Sequence, residues 1–350
     1  MGLQFSTQTR VFLGIFSFCF LLLGNTFDAC AENLKPKAPV PAFGNTFGVC
    51  AEHLKPKDQV PGYYRVSLGQ FQITAIHDGN ASMDGEAFIG ISETEKEELL
   101  NRMFIEKDFT SSVNAYLINT GKKLVLVDAG GGNAYGNSLG RLAKNLRHAG
   151  YKPHQIDAIV ITHAHPDHIG GLLDAKDNVV FPRATVYISA PEADFWLSEE
   201  NEANAPEVMK SLFEMVQKTA AIYSATDKWK TFYDGDAPIY GIPGIRAILT
   251  PGHSAGMAAF EVTSDNQKLL IWGDIVHVSA IQMAKPFAFV AYDLDYGAAI
   301  ATRNSQFEIV STERTFVAGS HLAFPGFGHV RKDGQQTFSW VPLDFSELSR

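Results

Sequence analysis

After Pro61 the chain alternates short apolar runs with glycine, proline and polar turns. Residues 64–68 and 71–76 alternate apolar and polar positions on either side of Gly69, the pattern of a β-hairpin. Ser92 precedes an acidic turn, Glu93-Thr94-Glu95, and then Leu99, Leu100 and Met103. That order predicts a helix capped by the serine, with negative charge at its positive end. Residues 113–118 and 124–127 read as buried strands. Leu139, Leu142, Ala143 and Leu146 recur at helical spacing up to His148, and Gly150 is placed to end that helix. Further strands are predicted at 158–161, 185–188, 245–249, 258–262 and 269–272. A helix-rich insertion is expected over about 191–222, and a helix over about 296–310 before the apolar stretch Phe316-Val317-Ala318. Strand and helix alternate in both halves with no linker, so an α/β chain with one domain over residues 62–350 is expected.

The amino-terminal pattern is different. Arg10 is followed by an uncharged stretch, residues 11–27. Its most apolar part, 11–23, is shorter than the ~20 residues a membrane-spanning helix needs. Ala29-Cys30-Ala31 then supplies small residues for cleavage after Ala31. This predicts a signal peptide over 1–31 and a periplasmic or secreted protein without stable membrane insertion after cleavage. A retained anchor is the alternative, and Asp28 makes a poor lipoprotein box. Gly24-Asn25-Thr26-Phe27, Cys30-Ala31-Glu32 and Leu34-Lys35-Pro36-Lys37 recur twenty positions later, at Gly44, Cys50 and Leu54. Two copies fall short of a solenoid. The repeat reads as a tandem duplication of the junction, within a flexible leader over residues 32–61.

Composition narrows the classes. The chain has 350 residues, 45% hydrophobic and 19% charged, as an ordinary globular protein does. A net charge of -9 without a Lys/Arg-rich run argues against nucleic acid and anionic membranes as partners, and leaves small molecules. Cys19, Cys30 and Cys50 all precede the folded body, which therefore has neither disulfide nor thiolate ligand. Cys50 alone survives cleavage at Ala31, leaving a crosslinked homodimer and a free exposed thiol as alternatives.

The densest chemistry follows the apolar run at 158–161, where the chain reads Thr162-His163-Ala164-His165-Pro166-Asp167-His168. Imidazole nitrogen and carboxylate oxygen suit zinc and similar divalent ions. Such a cluster at a strand end is hard to explain as packing, because His and Asp are costly to bury unpaired. Pro166 stiffens the loop and Gly170-Gly171 allows a sharp turn after it. A solvated polar loop is the bland alternative; metal-dependent hydrolysis is the favoured one.

His-x-His-x-Asp-His after an apolar strand resembles the signature of the metallo-β-lactamase superfamily. Thr250-Pro251-Gly252-His253-Ser254 resembles its next ligand loop. Leu269 to Asp274 resembles the strand that ends in a bridging Asp, and Gly319-Ser320-His321 supplies a last His. Pro61-Gly62-Tyr63-Tyr64-Arg65, Ala193-Asp194-Phe195-Trp196-Leu197-Ser198 and residues 321–329 are similar to the branch of methyl parathion hydrolase, lactonases and esterases. This similarity runs over about residues 61–342.

The resemblance implies an αβ/βα sandwich of two mixed β-sheets with outer helices. It implies that His163, His165 and His253 hold one divalent ion, Asp167, His168 and His321 a second, and Asp274 bridges both, with zinc as the expected metal. Asp167 and Asp274 are then the catalytic carboxylates, and a hydroxide trapped between ions roughly 3.5–4 Å apart is the expected nucleophile. Asp128, before Gly130-Gly131-Gly132, matches a carboxylate that orients a ligand imidazole, unless it merely forms the turn. Tyr135 and Trp196 correspond to aromatic walls of the leaving-group pocket, with a core role as the alternative. Asp at 274 speaks against β-lactam hydrolysis, since the β-lactamases usually carry Cys or Ser there.

His277 departs from the parathion-hydrolase pattern, where an aliphatic residue is expected. A polar imidazole in the pocket suits a lactone or ester better than an aryl phosphotriester. It is expected either to shuttle protons there or to stand by hydrogen-bonded. Of the other histidines, His77 reads as part of a turn, His148 and His154 as flanking a helix end, and His329 as lying near His321. The expected function is an exported dinuclear hydrolase of lactones or aryl esters with side activity on phosphotriesters. A dedicated organophosphate hydrolase is the first alternative and a non-catalytic metal-binding protein the remote one.

Overall fold

In the computed structural model, which describes residues 59–236 and 242–348, the apolar runs become strands of two sheets. The cleavage site, the duplicated segments, the leader up to residue 58 and all three cysteines lie outside the described residues. Asp58–Arg350 forms one unit. Its first half runs β1 (Tyr63–Leu68), β2 (Phe71–Asp84), β3 (Phe88–Ile89), α1 (Glu93–Arg102), β4 (Asp108–Asn119), β5 (Leu124–Val127) and α2 (Leu142–His148). It continues through β6 (Ala158–Val160), α3 (Pro166–Ile169), β7 (Thr185–Ser189), α4 (Ala190–Trp196), α5 (Glu199–Asn204), α6 (Glu207–Ser224) and β8 (Trp229–Phe232). The second half contains β9 (Ile245–Leu249), β10 (Ala258–Ser264), β11 (Gln267–Ile271), α7 (Ser279–Gln282) and β12 (Phe289–Val290). After these come α8 (Tyr296–Glu313), β13 (Phe316–Ala318), β14 (Phe327–Lys332) and β15 (Phe338–Pro342).

The first half builds a seven-stranded sheet in the order β1-β2-β4-β5-β6-β7-β8, parallel from β5 onward. The second builds a six-stranded sheet, β15-β14-β13-β11-β10-β9, in which β11 and β13 run parallel. β3 and β12 pair in a small ribbon.

Strand alternation decides what fills each layer. Val125, Val127, Ala158 and Val160 share one apolar cluster with Ala258, Phe260, Leu269 and Ile271, so the two sheets pack face to face. The intervening Leu126 and Ile159 cluster with Leu142 and Leu146 of α2, Trp196 of α4 and Phe213 and Val216 of α6. On the other side Leu270, Trp272 and Val317 pack on Phe307 and Val310 of α8. The architecture is therefore the expected αβ/βα sandwich of two mixed sheets with outer helices.

Local details depart from the sequence pattern. The segment around His77 is no turn: it lies inside β2, which runs on to Asp84 with a register shift between His77 and Gly79 against β4. α2 begins at Leu142, three residues later than its apolar spacing suggests, because residues ahead of it are held by Asp78. The Gly-rich segment carrying His329 is partly a strand, β14, and His329 bonds Thr315 O rather than any group near His321.

Candidate metal centre

The cluster is assembled from loops at the carboxyl ends of strands in both sheets. β6 ends at Val160, and Ile161 and Thr162 lead into His163 and His165. Pro166 opens the short helix α3, a position where its missing N–H is harmless, and Asp167 and His168 follow on that turn. His253 lies on the β9–β10 loop, Asp274 beyond β11 and His321 beyond β13.

Asp274 is buried at the centre. Its Oδ2 lies 3.0 Å from His321 Nε2, 3.4 Å from His277 Nε2, 3.5 Å from His253 Nε2 and 3.6 Å from His163 Nε2. Its Oδ1 lies 3.3 Å from His168 Nε2. His321 Nε2 is also 3.3 Å from Asp167 Oδ2. Donor atoms of His163, His165 and His253 fall within 4.8 Å of one another, as do those of Asp167, His168 and His321. The seven residues expected as ligands are thus brought together, and Asp274 touches members of both triads.

Buried polar atoms are nearly always hydrogen-bonded. Here His168 Nε2, His253 Nε2 and Asp274 Oδ1 have no hydrogen-bond partner. Unsatisfied imidazole nitrogens and carboxylate oxygens converging on one place fit divalent cations of the zinc type.

The far sides of the imidazoles are held. Asp128 accepts from His168 Nδ1 at 2.8 Å, and also from the Thr162 N–H and hydroxyl at 2.8 and 2.9 Å. Asp128 therefore does more than form a turn. His321 Nδ1 donates to Ser112 O at 2.9 Å. His253 Nδ1 pairs with the buried Asp293 at 2.7 Å. Asp293 escaped the sequence reading because it is an isolated carboxylate forty positions from its imidazole; only an acid just ahead of the 296–310 helix marked the spot.

Electrostatics divide the cluster. Burial opposes the charged forms of His168 and His321, but Asp274 and Asp167 outweigh it, raising His168 and pushing His321 up to about 10. Asp274 answers in kind: burial opposes its ionisation, yet His168, His321 and His163 hold it well below the usual carboxylate range. Burial, with less compensation, lowers His165 to about 3 and His277 to about 4, so both are neutral imidazoles at neutral pH.

The expected pocket residues fare unequally. Trp196 is no open wall: it is 1% exposed, packs on Phe213 at 4.7 Å between ring centres and donates its indole N–H to Glu192. Only a T-shaped approach at 6.1 Å links it to His165. Its place in an apolar helical layer, under α6, accounts for the difference. Tyr135 is 43% exposed, on the Gly-rich loop before α2, near enough to Asp167 and Asp274 to feel both charges. Tyr292, unnoticed in the sequence, is 45% exposed and lies 5.4 Å from the His277 ring. His277 itself lies deeper than a wall, stacked on His321 at 5.2 Å and 18°.

Known proteins resemble this chain. The family model described as the metallo-beta-lactamase superfamily matches residues 109–321, a span that contains both triads and Asp274. The solved structure of hydrolase AbOPH in the beta lactamase superfamily is 35% identical, with a TM-score of 0.78, and the match covers 83% of this chain and all of that one. AidC, a dizinc quorum-quenching lactonase, is 28% identical with a TM-score of 0.76 over the same shares. Exodeoxyribonuclease WalJ of Streptococcus pneumoniae serotype 2 (strain D39 / NCTC 7466) is 33% identical over 135 residues, 38% of this chain. The chain spans only 42% of that relative's length. With a family model matching more than half the chain and a solved structure of the superfamily sharing its fold, this protein belongs to the metallo-β-lactamase superfamily.

Proposed function

We propose that the protein is a dinuclear metal-dependent hydrolase of lactones or aryl esters. The observation that carries this reading is Asp274, one buried carboxylate within reach of both donor triads. His163, His165 and His253 would hold one ion, Asp167, His168 and His321 the other, and Asp274 both. Two ions so held supply Lewis acidity toward a carbonyl or phosphoryl oxygen and an activated water near neutral pH.

The chain's own groups do the rest. Asp128, Asp293 and Ser112 O fix which nitrogen of His168, His253 and His321 faces inward. Tyr135, close enough to feel Asp167 and Asp274, and Tyr292, beside the His277 ring, are part-exposed aromatic rings that could cover an aryl or acyl group. His277 is neutral and buried with both nitrogens unpaired, a polar partner for a lactone or ester oxygen rather than an apolar cradle for an aryl phosphotriester. The likeness to a lactonase at 28% identity supports the same substrate class.

Turnover of a lactone panel, aryl esters and methyl-parathion-type triesters should be compared side by side, with elemental analysis of the same preparation. We expect close to two ions per chain and the highest kcat/KM among lactones or aryl esters. Dominance of the triesters would favour a dedicated organophosphate hydrolase instead, and a metal-loaded protein inert on all three classes would refute the catalytic reading.

A further inference from the structure

We infer that Glu192 is a positioning residue that braces the three-imidazole half of the centre, an inference that rests on the two-ion reading above. Glu192 lies in the first turn of α4 and is fully buried. Its Oε1 accepts the Ala164 backbone N–H at 2.9 Å and the Trp196 indole N–H at 2.8 Å. Its Oε2 accepts the Ser254 hydroxyl at 2.7 Å and the Gly256 N–H at 2.7 Å. Ala164 stands between His163 and His165, and Ser254 follows His253. One carboxylate therefore ties together the two loops that carry the three imidazoles assigned to one ion.

The approach is close by design of the chain. A Cβ at Gly256 would stand 2.3 Å from Glu192 N and 2.5 Å from Ser189 Oγ, so only glycine lets the His253 loop sit against α4. Trp196, wedged against Phe213, anchors the carboxylate to the helical layer. This assigns the tryptophan a role that its buried position explains and a pocket wall would not. The other half of the centre is held differently, through Asp128 on His168 and Ser112 O on His321. Asp128 also accepts the Thr162 N–H and hydroxyl beside His163, so it reaches both halves, whereas the Glu192 bonds reach only the loops of the three imidazoles.

Four donors occupy both oxygens of Glu192, which an ionised carboxylate alone can accept. Glu192→Gln keeps the volume but points an NH2 at two donors, leaving them unpaired. Zinc binding to metal-free wild type, Glu192→Gln, Ser254→Ala and Asp128→Asn is to be measured by competition with a chromophoric chelator. Wild type is expected to show two binding steps. Glu192→Gln should weaken one step by about 10- to 100-fold and leave the other, as loss of a group that orients ligands does. Ser254→Ala should weaken that same step by less, whereas Asp128→Asn, which reaches both halves through His168 and Thr162, should weaken both. Equal weakening of both steps in Glu192→Gln would mean general loosening, and no change would mean no brace; either overturns the inference. If Glu192→Gln does not fold, Ser254→Ala decides, and unchanged steps there overturn it. A wild type with fewer than two steps would overturn the two-ion reading itself.

Discussion

Asp274 and His277 are three residues apart, yet their surroundings demand different things of them. Asp274 faces His163, His168, His253, His277 and His321, so Asp274→Ala removes the carboxylate that meets both triads and leaves Asp167 beside His168 and His321 only. We expect that variant to lose bound metal by elemental analysis and all hydrolysis. His277→Leu removes an unpaired imidazole instead, and should keep both ions while shifting the ratio of lactone to phosphotriester turnover. Pocket changes of this kind are worth about 1–3 kcal/mol, roughly 10- to 200-fold in relative kcat/KM. A His277→Leu protein that lost an ion would place the imidazole among the metal donors. At this scale the sequence was readable where donors are adjacent, as in His163 to His168. It was unreadable where a single acid, Asp293 or Glu192, reaches its partners across the fold, since nothing local distinguishes such a residue from a surface carboxylate.

Elements are set by contacts that their own residues do not announce. α2 has no side-chain cap from its neighbour Arg141. The buried Asp78, from β2, accepts the N–H of Leu142 at 2.7 Å and those of Gly131 and Gly140 at 2.9 and 3.0 Å. It thereby starts the helix and pins the loop that carries Tyr135. Asp78→Ala strands these donors, and by the usual penalty per unsatisfied group should cost about 3 kcal/mol in urea unfolding. A loss below about 1 kcal/mol would mean the loop holds itself. Helices and strands with sharp apolar contrast, such as α1 behind Ser92 or β5 and β11, were plain in the sequence. β14 was not, because Gly328 reads as a loop residue. In the sheet it marks close approach instead: a Cβ there would lie 2.3 Å from Val341 O and 2.6 Å from the Trp340 ring.

In the whole molecule the centre straddles the two sheets. The 163–168 segment follows the first sheet's β6, whereas His253, Asp274 and His321 follow strands of the second. Ions bound by both halves would therefore join the layers at one end, and binding to the native state alone adds about 2.7 kcal/mol when free ion is a hundredfold above Kd. The thermal midpoint should fall on chelation and recover on adding zinc; a midpoint indifferent to chelator would contradict ions that bridge the layers. An α/β chain was legible because strand and helix alternate, and the two-layer plan came from the family resemblance of the ligand motifs, whereas which loops would meet depends on sheet order, which no local pattern encodes. The same split has a consequence during synthesis. The 163–168 loop leaves the ribosome as a contiguous set, but His321 emerges close to the carboxyl end, after every other member of the group. A nascent chain would thus own an open half-site from the 163–168 loop until His321, and the last imidazole would close it. On the two-ion reading, tight retention of both ions would wait for that last imidazole.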